Sequence, residues 1–179
     1  MTKPRDLNPD MFLRRGHFVG KTGDHIDAML AKERLFDDAD LLAAAVDRLA
    51  YLVSERQPGL LVSQERHGAQ LARMVGAQLD VPVLAYGKDG KASSSHGLVD
   101  TLSKHSMIIE DNITTGKSVR ELMSLVKKTG GSVEGVASVF SSSNNPVEFG
   151  VWCASLVRLA IVSKRPEDCT ICEGDDVKG

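Results

Sequence analysis

Apolar residues recur along the chain with two different periods, and the two periods alternate. Within residues 38–56, 67–79 and 117–131, many of them fall three or four positions apart, which is the spacing of one helix face. Pro58 and Gly59 follow the first of these segments, and Gly130–Gly131 closes the third. The pattern therefore predicts three helices of more than ten residues.

Short apolar runs lie between these segments, and each predicts a buried strand. They cover residues 60–63, 81–86, 106–110 and 132–140, and we expect a late strand within 156–162. Strands that alternate with long helices are typical of an α/β fold with a mainly parallel sheet covered on both faces. No repeat or linker divides the 179 residues, so we expect a single domain.

One long segment between two predicted strands has no hydrophobic period. Residues 87–105, GKDGKASSSHGLVDTLSKH, are rich in glycine and serine and predict a loop. Composition alone favours a solvated, disordered segment. Loops of this length inside a compact domain are, however, often functional.

Composition and charge exclude several classes of protein. Apolar residues make up 42% of the chain and charged residues 26%, which is ordinary for a globular protein. The net charge of −2 gives no electrostatic reason to expect nucleic acid or an acidic membrane as partner. The chain has neither an apolar run of about 20 residues nor a signal-like N-terminus, so we expect a cytoplasmic protein.

Three cysteines are too few for a secreted disulfide framework. Two of them form the pair Cys169-x-x-Cys172, which fits half of a zinc site or a redox pair. A four-ligand zinc site needs two further ligands, and the sequence has no second CxxC and no HxxxH. The alternatives are a site shared across a dimer and, favoured here, two reduced thiols in a C-terminal extension.

The segment SMIIEDNITTGKSVRELM, residues 106–123, ends an apolar run with Gly-Lys-Ser. A nucleoside-triphosphate loop needs G-x-x-x-x-G-K-[ST], and Asp111 stands where its first glycine belongs. An aspartate does not easily adopt the backbone of that glycine, and its carboxylate would repel the phosphates. The sequence therefore disfavours a triphosphate site.

The same segment fits a sugar phosphate better. Backbone N–H groups at the start of the following helix, with the hydroxyls of Thr114, Thr115 and Ser118, can bind one phosphate. Glu110 and Asp111 lie further back, where they can accept hydrogen bonds from ribose hydroxyls. A simple helix cap is the plainer alternative.

MIIEDNITTGKS resembles the phosphoribosyl-diphosphate signature of type I phosphoribosyltransferases. The chain is similar to this family, and to its orotate-type members most of all, over about residues 15–174. LRRGHFVGKTGDHIDAMLAKERLF resembles their N-terminal segment, with Lys21-Thr22-Gly23 at its turn. AYGKDGKASSSHG resembles their mobile catalytic loop, and PEDCTICEG resembles a Cys-Pro-Leu-Cys-x-x-Gly tail of some members.

The resemblance implies a type I phosphoribosyltransferase fold, in which a mainly parallel sheet is flanked by helices and joined by a small N-terminal hood and a long mobile loop. It implies one domain over residues 1–179, with a hood at about 10–37, a core at about 38–163 and a C-terminal extension at 164–179. It also implies a homodimer in which loop 87–105 reaches the partner's site.

The implied reaction transfers ribose 5-phosphate from 5-phosphoribosyl 1-diphosphate to orotate and releases pyrophosphate, with Mg²⁺ held through the substrate and not directly by the protein. The resemblance implies catalytic roles for Asp111, Lys88, Lys91 and His96. It implies substrate-binding roles for Glu110, Asp111, Thr114, Thr115, Gly116, Lys117, Ser118, Lys21 and Arg66.

The sequence departs from the orotate pattern around the base. Ser141–Ser142 stand where orotate enzymes have Asp-Arg, and a serine cannot replace the bidentate pairing of arginine with a carboxylate. Gly87 replaces an arginine of the loop, Ala28–Met29 replace an aromatic pair, and Asn112 holds a normally apolar position. A phosphoribosyltransferase for another base, acting in purine or pyrimidine salvage, and a non-catalytic nucleotide-sensing regulator therefore stay open as alternatives.

Overall fold

The computed structural model describes residues 5–20, 23–87, 89, 91–94, 105–143, 146–170 and 172. Its strands are β1 (Leu13–Val19), β2 (His25–Leu30), β3 (Leu60–Gln64), β4 (Val83–Tyr86), β5 (Ala92–Ser94), β6 (His105–Ile113), β7 (Ser132–Ser141), β8 (Trp152–Arg158) and β9 (Ser163–Lys164). Its α-helices are α1 (Glu33–Phe36), α2 (Ala39–Ser54), α3 (His67–Leu79) and α4 (Lys117–Lys128). Two short 3₁₀ helices cover Pro9–Phe12 and Pro166–Asp168.

The central sheet has six strands in the order β5-β4-β3-β6-β7-β8. The five neighbouring strands β4-β3-β6-β7-β8 pair in parallel. At the edge, β5 pairs antiparallel with β4. The predicted α/β fold with a mainly parallel sheet is therefore confirmed.

Helices cover both faces of this sheet. Residues of α2 and α3 share one buried cluster with Met107 and Ile109 of β6, whereas α4 shares another with Ile108. Neighbouring residues of a strand point to opposite faces, so β6 contributes to both clusters. This explains why its apolar run is continuous and does not alternate with polar residues.

A second sheet of three antiparallel strands, in the order β1-β2-β9, forms the hood. His25 and Ile26 of β2 pair with Lys164 and Ser163 of β9. The end of the chain thus returns to the N-terminal strands, a contact that no local pattern in the sequence indicates.

Two predictions need correction. Residues 87–105 were expected to form a loop without regular structure, but residues 92–94 form β5 and close a hairpin on β4. The late strand begins at Trp152, four residues before the expected start, because parallel pairing with β7 begins at Gly135 and Trp152.

Among the described helices, none combines the length and the apolar character that a membrane span requires.

Candidate active site

A cleft of about 280 Å³ lies at the carboxyl ends of β3 and β6, where ligands of parallel sheets usually bind. Its lining residues are Lys32, Gln64, Glu65, Arg66, His67, Gly68, Glu110, Asp111, Asn112 and Ser118. A smaller cavity of about 110 Å³ shares some of these residues and is lined by the whole segment from Asn112 to Val119. The predicted ribose and phosphate residues thus line two adjoining cavities.

The segment 114–118 bends tightly into the N-terminus of α4. Gly116 has φ +74°, and a Cβ there would lie 2.7 Å from side-chain atoms of Val147 and Phe149. The position therefore requires glycine. The Arg120 guanidinium donates a 2.8 Å hydrogen bond to the Thr115 carbonyl and lies over the Phe149 ring, and both contacts help to hold this bend.

Lys117 follows Gly116 but its ammonium is not held in the cavity. Its side chain is largely exposed, and Nζ lies 3.9 Å from Glu121 one turn along α4. Its backbone N–H, which donates to Thr115 Oγ1 at 3.4 Å, belongs to the first turn of the helix.

Glu110 and Asp111 both face the larger cleft. Lys32, from the segment between β2 and α1, places its Nζ 2.6 Å from Asp111 Oδ2. The His67 ring contributes Nδ1 at 3.7 Å from the same oxygen. The Asp111 side chain is 14% exposed and that of Lys32 is 40% exposed, so the contact is a partly buried ion pair between hood and core.

Glu110 is more deeply buried, with 6% of its surface exposed. Burial raises its pKa to about 8, and the neighbouring Asp111 charge adds to the rise, against the lowering effect of the Asp111 backbone N–H and of Lys32. Its Oε1 atom has no hydrogen-bond partner among the described residues. Near neutral pH Glu110 is therefore protonated, and its Oε1 can bond to a ligand.

Asn112 has a clear structural role that the sequence did not indicate. Its Nδ2 donates to Thr114 Oγ1 at 3.1 Å and to Ser142 Oγ at 3.0 Å. The hydroxyls of Thr114 and Ser142 also lie 3.1 Å apart. An amide at this position therefore ties the phosphate-binding segment to the end of β7, which an apolar side chain could not do.

The turn between β3 and α3 has a strained backbone. Arg66 has φ 85° and ψ −131°, a region that only glycine populates readily. Two residues on, a Cβ on Gly68 would lie 2.7 Å from Ser63 Oγ and 3.3 Å from Glu110 Oε2. The start of α3 thus approaches Ser63 and the Glu110 carboxyl too closely for a larger residue at position 68.

The predicted loop residues are only partly described. Lys91 is exposed, and its Nζ lies 3.8 Å from Asp89 Oδ2 in the β4–β5 turn, so its ammonium does not contact Glu110 or Asp111. Lys21, Lys88 and His96 lie outside the described residues. Just after Lys91, Ser93 Oγ donates a 2.7 Å hydrogen bond to Glu65 Oε1, which lowers the pKa of Glu65 and links β5 to the β3–α3 turn.

Sequence reasoning missed Lys32 and His67 as site residues. Lys32 is 79 positions from Asp111, and nothing in its local pattern distinguishes it from an ordinary surface lysine. His67 is the first residue of α3 and stacks on Phe36, with ring centroids 4.2 Å apart. Its place directly after Arg66, for which the resemblance implies a substrate-binding role, was the available signal.

Comparison with curated proteins decides the family. The chain is 31% identical over 159 residues to the orotate phosphoribosyltransferase of Chlorobaculum parvum, covering 88% of this chain and 82% of that protein. It is 33% identical over 167 residues to the orotate phosphoribosyltransferase of Pelotomaculum thermopropionicum, covering 88% and 84%. The chain belongs to the orotate phosphoribosyltransferase family. No protein-family model matches it.

Solved structures agree on the fold of this orotate phosphoribosyltransferase family member. The enzyme of that name from Aeropyrum pernix superposes with a TM-score of 0.68 at 17% identity, over 83% of this chain and 89% of that one. An adenine phosphoribosyltransferase from Thermoanaerobacter pseudethanolicus reaches 0.67 at 18%, over 84% and 98%. The predicted type I phosphoribosyltransferase fold is confirmed, and enzymes named for two different bases share it, so the fold alone does not select the base.

The raised pKa of Glu110 predicts a pH-dependent stability difference between the wild type and Glu110→Gln. An unfolded glutamate ionises near its ordinary value of 4.5, whereas the folded one ionises at about 8. The wild type should therefore lose stability relative to the variant from about pH 4.5 to about pH 8, and the difference should then stay constant. We expect a total change on the order of a few kcal/mol, measured by urea unfolding at several pH values.

Glu55→Gln is the matched control, because Glu55 is exposed at the end of α2. It should change stability equally little at every pH. A difference between wild type and Glu110→Gln that is independent of pH would show that Glu110 is not held protonated.

The backbone of Arg66 predicts an unusual order of stabilities for two variants. Arg66→Gly and Arg66→Ala both remove the guanidinium, but only glycine relieves the strained φ and ψ. We expect the glycine variant to be more stable than the alanine variant by about 1–2 kcal/mol in chemical unfolding. If the alanine variant is the more stable, as in an unstrained turn, the proposed strain is absent.

Proposed function

We propose that this chain transfers ribose 5-phosphate from 5-phosphoribosyl 1-diphosphate to orotate, giving orotidine 5′-phosphate and pyrophosphate in pyrimidine nucleotide biosynthesis. The observation that carries the proposal is the placement of Glu110 and Asp111 between the bend at the start of α4 and the strained β3–α3 turn. This arrangement offers one place for each part of the donor. The family to which the chain belongs supports orotate as the acceptor.

In this proposal the 5-phosphate binds to the segment from Thr114 to Ser118. The N–H groups in the first turn of α4 and the positive end of its dipole attract a phosphate, and the hydroxyls supply further donors. Thr114 would be held for this task by Asn112 and Ser142, which bond to its hydroxyl on the side of β7. The ribose hydroxyls would then lie against Glu110 and Asp111.

The carboxyls have a second task as the glycosidic bond breaks, because positive charge then grows on the ribose. A fixed negative group beside it stabilises this state more than the ground state. Lys32 holds Asp111 in place through the 2.6 Å contact, which reduces the reorganisation that the reaction needs. Glu110, protonated in the unliganded site, can donate as well as accept a hydrogen bond.

The site fits the expected Mg²⁺. Carboxylate and hydroxyl oxygens are the ligands that this ion prefers, and Glu110, whose Oε1 has no partner among the described residues, would lose its proton beside such a cation. Lys32 already contacts Asp111 Oδ2, which favours an ion held mainly through substrate oxygens. When bound, Mg²⁺ would neutralise negative charge on the leaving pyrophosphate.

Cationic residues of the chain would bring further positive charge to the pyrophosphate. Arg66 lies at the cleft, and Lys88, Lys91 and His96 would arrive when loop 87–105 closes over the site and excludes water. We propose that this loop serves the partner's site in a homodimer, and that the enzyme acts in the cytoplasm. The hydrogen bond between Ser93 and Glu65 supports a mechanical link between the loop and the β3–α3 turn.

A second candidate function keeps the donor and changes the base. Ser142, which stands where orotate enzymes have an arginine, is uncharged and engaged with Asn112 and Thr114. Such a site gives an orotate carboxylate no cation from this position. A base without a carboxylate, as in salvage, is therefore the alternative.

An assay of pyrophosphate release with orotate, uracil, adenine and guanine distinguishes these functions. With phosphoribosyl diphosphate and Mg²⁺ present, we expect orotate to give kcat/KM at least about 100-fold above the other bases. Turnover with another base alone would support the salvage alternative. Binding of the donor without turnover of any base would contradict both transferase functions and would support a non-catalytic regulator.

Removal of Lys32 tests the contact between hood and core. Lys32→Met should lower kcat/KM for the donor by about 10- to 100-fold, because the largely buried Asp111 carboxylate loses its charged partner. Lys32→Arg keeps the positive charge and should recover part of the loss. Lys127→Met, on the exposed end of α4, is the matched control and should stay near the wild-type value. Unchanged kinetics in Lys32→Met would show that the ion pair does not serve the reaction.

A further inference from the structure

Four metal-binding side chains meet outside the catalytic cleft. They are His17 on β1, His25 at the start of β2, and Cys169 and Cys172 beyond β9. One ligand atom from each lies within 4.8 Å of the corresponding atom of every other. Residues that are up to 155 positions apart in the chain thus converge on one point.

The four separations lie close to those of ligands around a tetrahedral zinc ion: two agree with them, and the two that involve His25 are about 0.4–0.5 Å shorter. His17 Nε2 lies 2.9 Å from His25 Nδ1, 3.5 Å from Cys169 Sγ and 3.6 Å from Cys172 Sγ, and His25 Nδ1 lies 3.0 Å from Cys172 Sγ. With Zn–S bonds of about 2.3 Å and Zn–N bonds of about 2.0 Å, tetrahedral angles put a sulfur and a nitrogen about 3.5 Å apart. They put two nitrogens about 3.3 Å apart.

Hydrogen bonds alone do not account for this cluster. An imidazole nitrogen offers either one proton or one lone pair, so His17 Nε2 can form one good hydrogen bond and not three. Thiols are also weak donors and acceptors. His17 is only 2% exposed, so this side of the cluster lies away from bulk water. A cation at the centre would satisfy all four ligand atoms at once.

We propose that His17, His25, Cys169 and Cys172 form a structural Zn²⁺ site. Two thiolates and two imidazoles in a tetrahedral set are a typical zinc environment and suit neither Mg²⁺ nor Ca²⁺. Four protein ligands leave no open position for a reacting water, so the site is structural and not catalytic. It does not depend on the proposed activity.

The position of the site explains what the ion would do. The hood sheet is small, and β9, which ties the C-terminal segment to it, has only two residues. Small units of this kind commonly need a metal or a disulfide for stability. Zinc would join β1, β2 and the C-terminal segment, because His17 lies on β1, His25 begins β2, and both cysteines follow β9.

Zinc content tests the site directly. We expect about one zinc per chain, by elemental mass spectrometry, in protein purified without a histidine tag or chelator under reducing conditions. Cys169→Ser, Cys172→Ser and His25→Asn should each lower this by about tenfold or more. Cys153→Ser, which changes a cysteine of β8 outside the cluster, is the matched control and should keep the full content.

Cobalt substitution tests the ligand set. The Co²⁺ form should show the intense visible bands of tetrahedral coordination and a thiolate-to-cobalt charge-transfer band, and the Cys153→Ser control should show both. If the variants of the four ligand residues do not fold, the Tm of the wild type tests the proposal. A strong chelator should then lower its Tm, and one equivalent of zinc should restore the Tm.

Two results would overturn the proposal. One is wild-type protein that lacks stoichiometric zinc and takes up neither zinc nor cobalt after reduction. The other is a disulfide between Cys169 and Cys172 that persists in reducing buffer, detected by mass spectrometry of peptides, together with a Tm that does not respond to a chelator.

Discussion

Two carboxyl groups on adjacent residues, Glu110 and Asp111, face one cleft, and the rest of the site depends on how their charge is balanced. The Lys32 ammonium lies 2.6 Å from Asp111, while burial raises the pKa of Glu110 to about 8. The pair therefore does not have to carry two full negative charges in a poorly solvated place near neutral pH. The balance requires the hood, because Lys32 comes from the segment that follows its second strand.

The architecture supplies the other constraints on the site. Parallel strands bring the carboxyl end of β6 beside that of β3, so the carboxyls, the strained Arg66 turn and the bend at Gly116 converge without long-range loops. Glycine at positions 68 and 116 permits two close approaches that any side chain would block. Asn112 then connects the phosphate-binding bend to β7. The site is thus assembled from short segments held by the sheet, and much of it is formed before a ligand arrives.

The periodicity of apolar residues predicted the core helices and most strands well, because each is stabilised locally by one buried face or a continuous buried run. The binding residues from Glu110 to Ser118 could also be predicted from the sequence, because they are contiguous in the chain. Contacts between distant segments could not be predicted from the sequence. Lys32 contacts Asp111, 79 positions away, and His17 contacts Cys172, 155 positions away. Because the sequence has no second CxxC, it did not indicate a complete set of zinc ligands. The fold supplies the missing two by bringing two separate histidines to the thiols.

In the proposed complex, the cleft binds the ribose 5-phosphate donor with its phosphate at the start of α4 and its ribose on the two carboxyls. A crystal structure with phosphoribosyl diphosphate and Mg²⁺ tests this most directly. We expect the 5-phosphate within hydrogen-bonding distance of Thr115 and Ser118, the ribose hydroxyls on Glu110 and Asp111, and the pyrophosphate toward Arg66. A donor that leaves Glu110 and Asp111 without contacts, or that places its pyrophosphate at the start of α4, would contradict it.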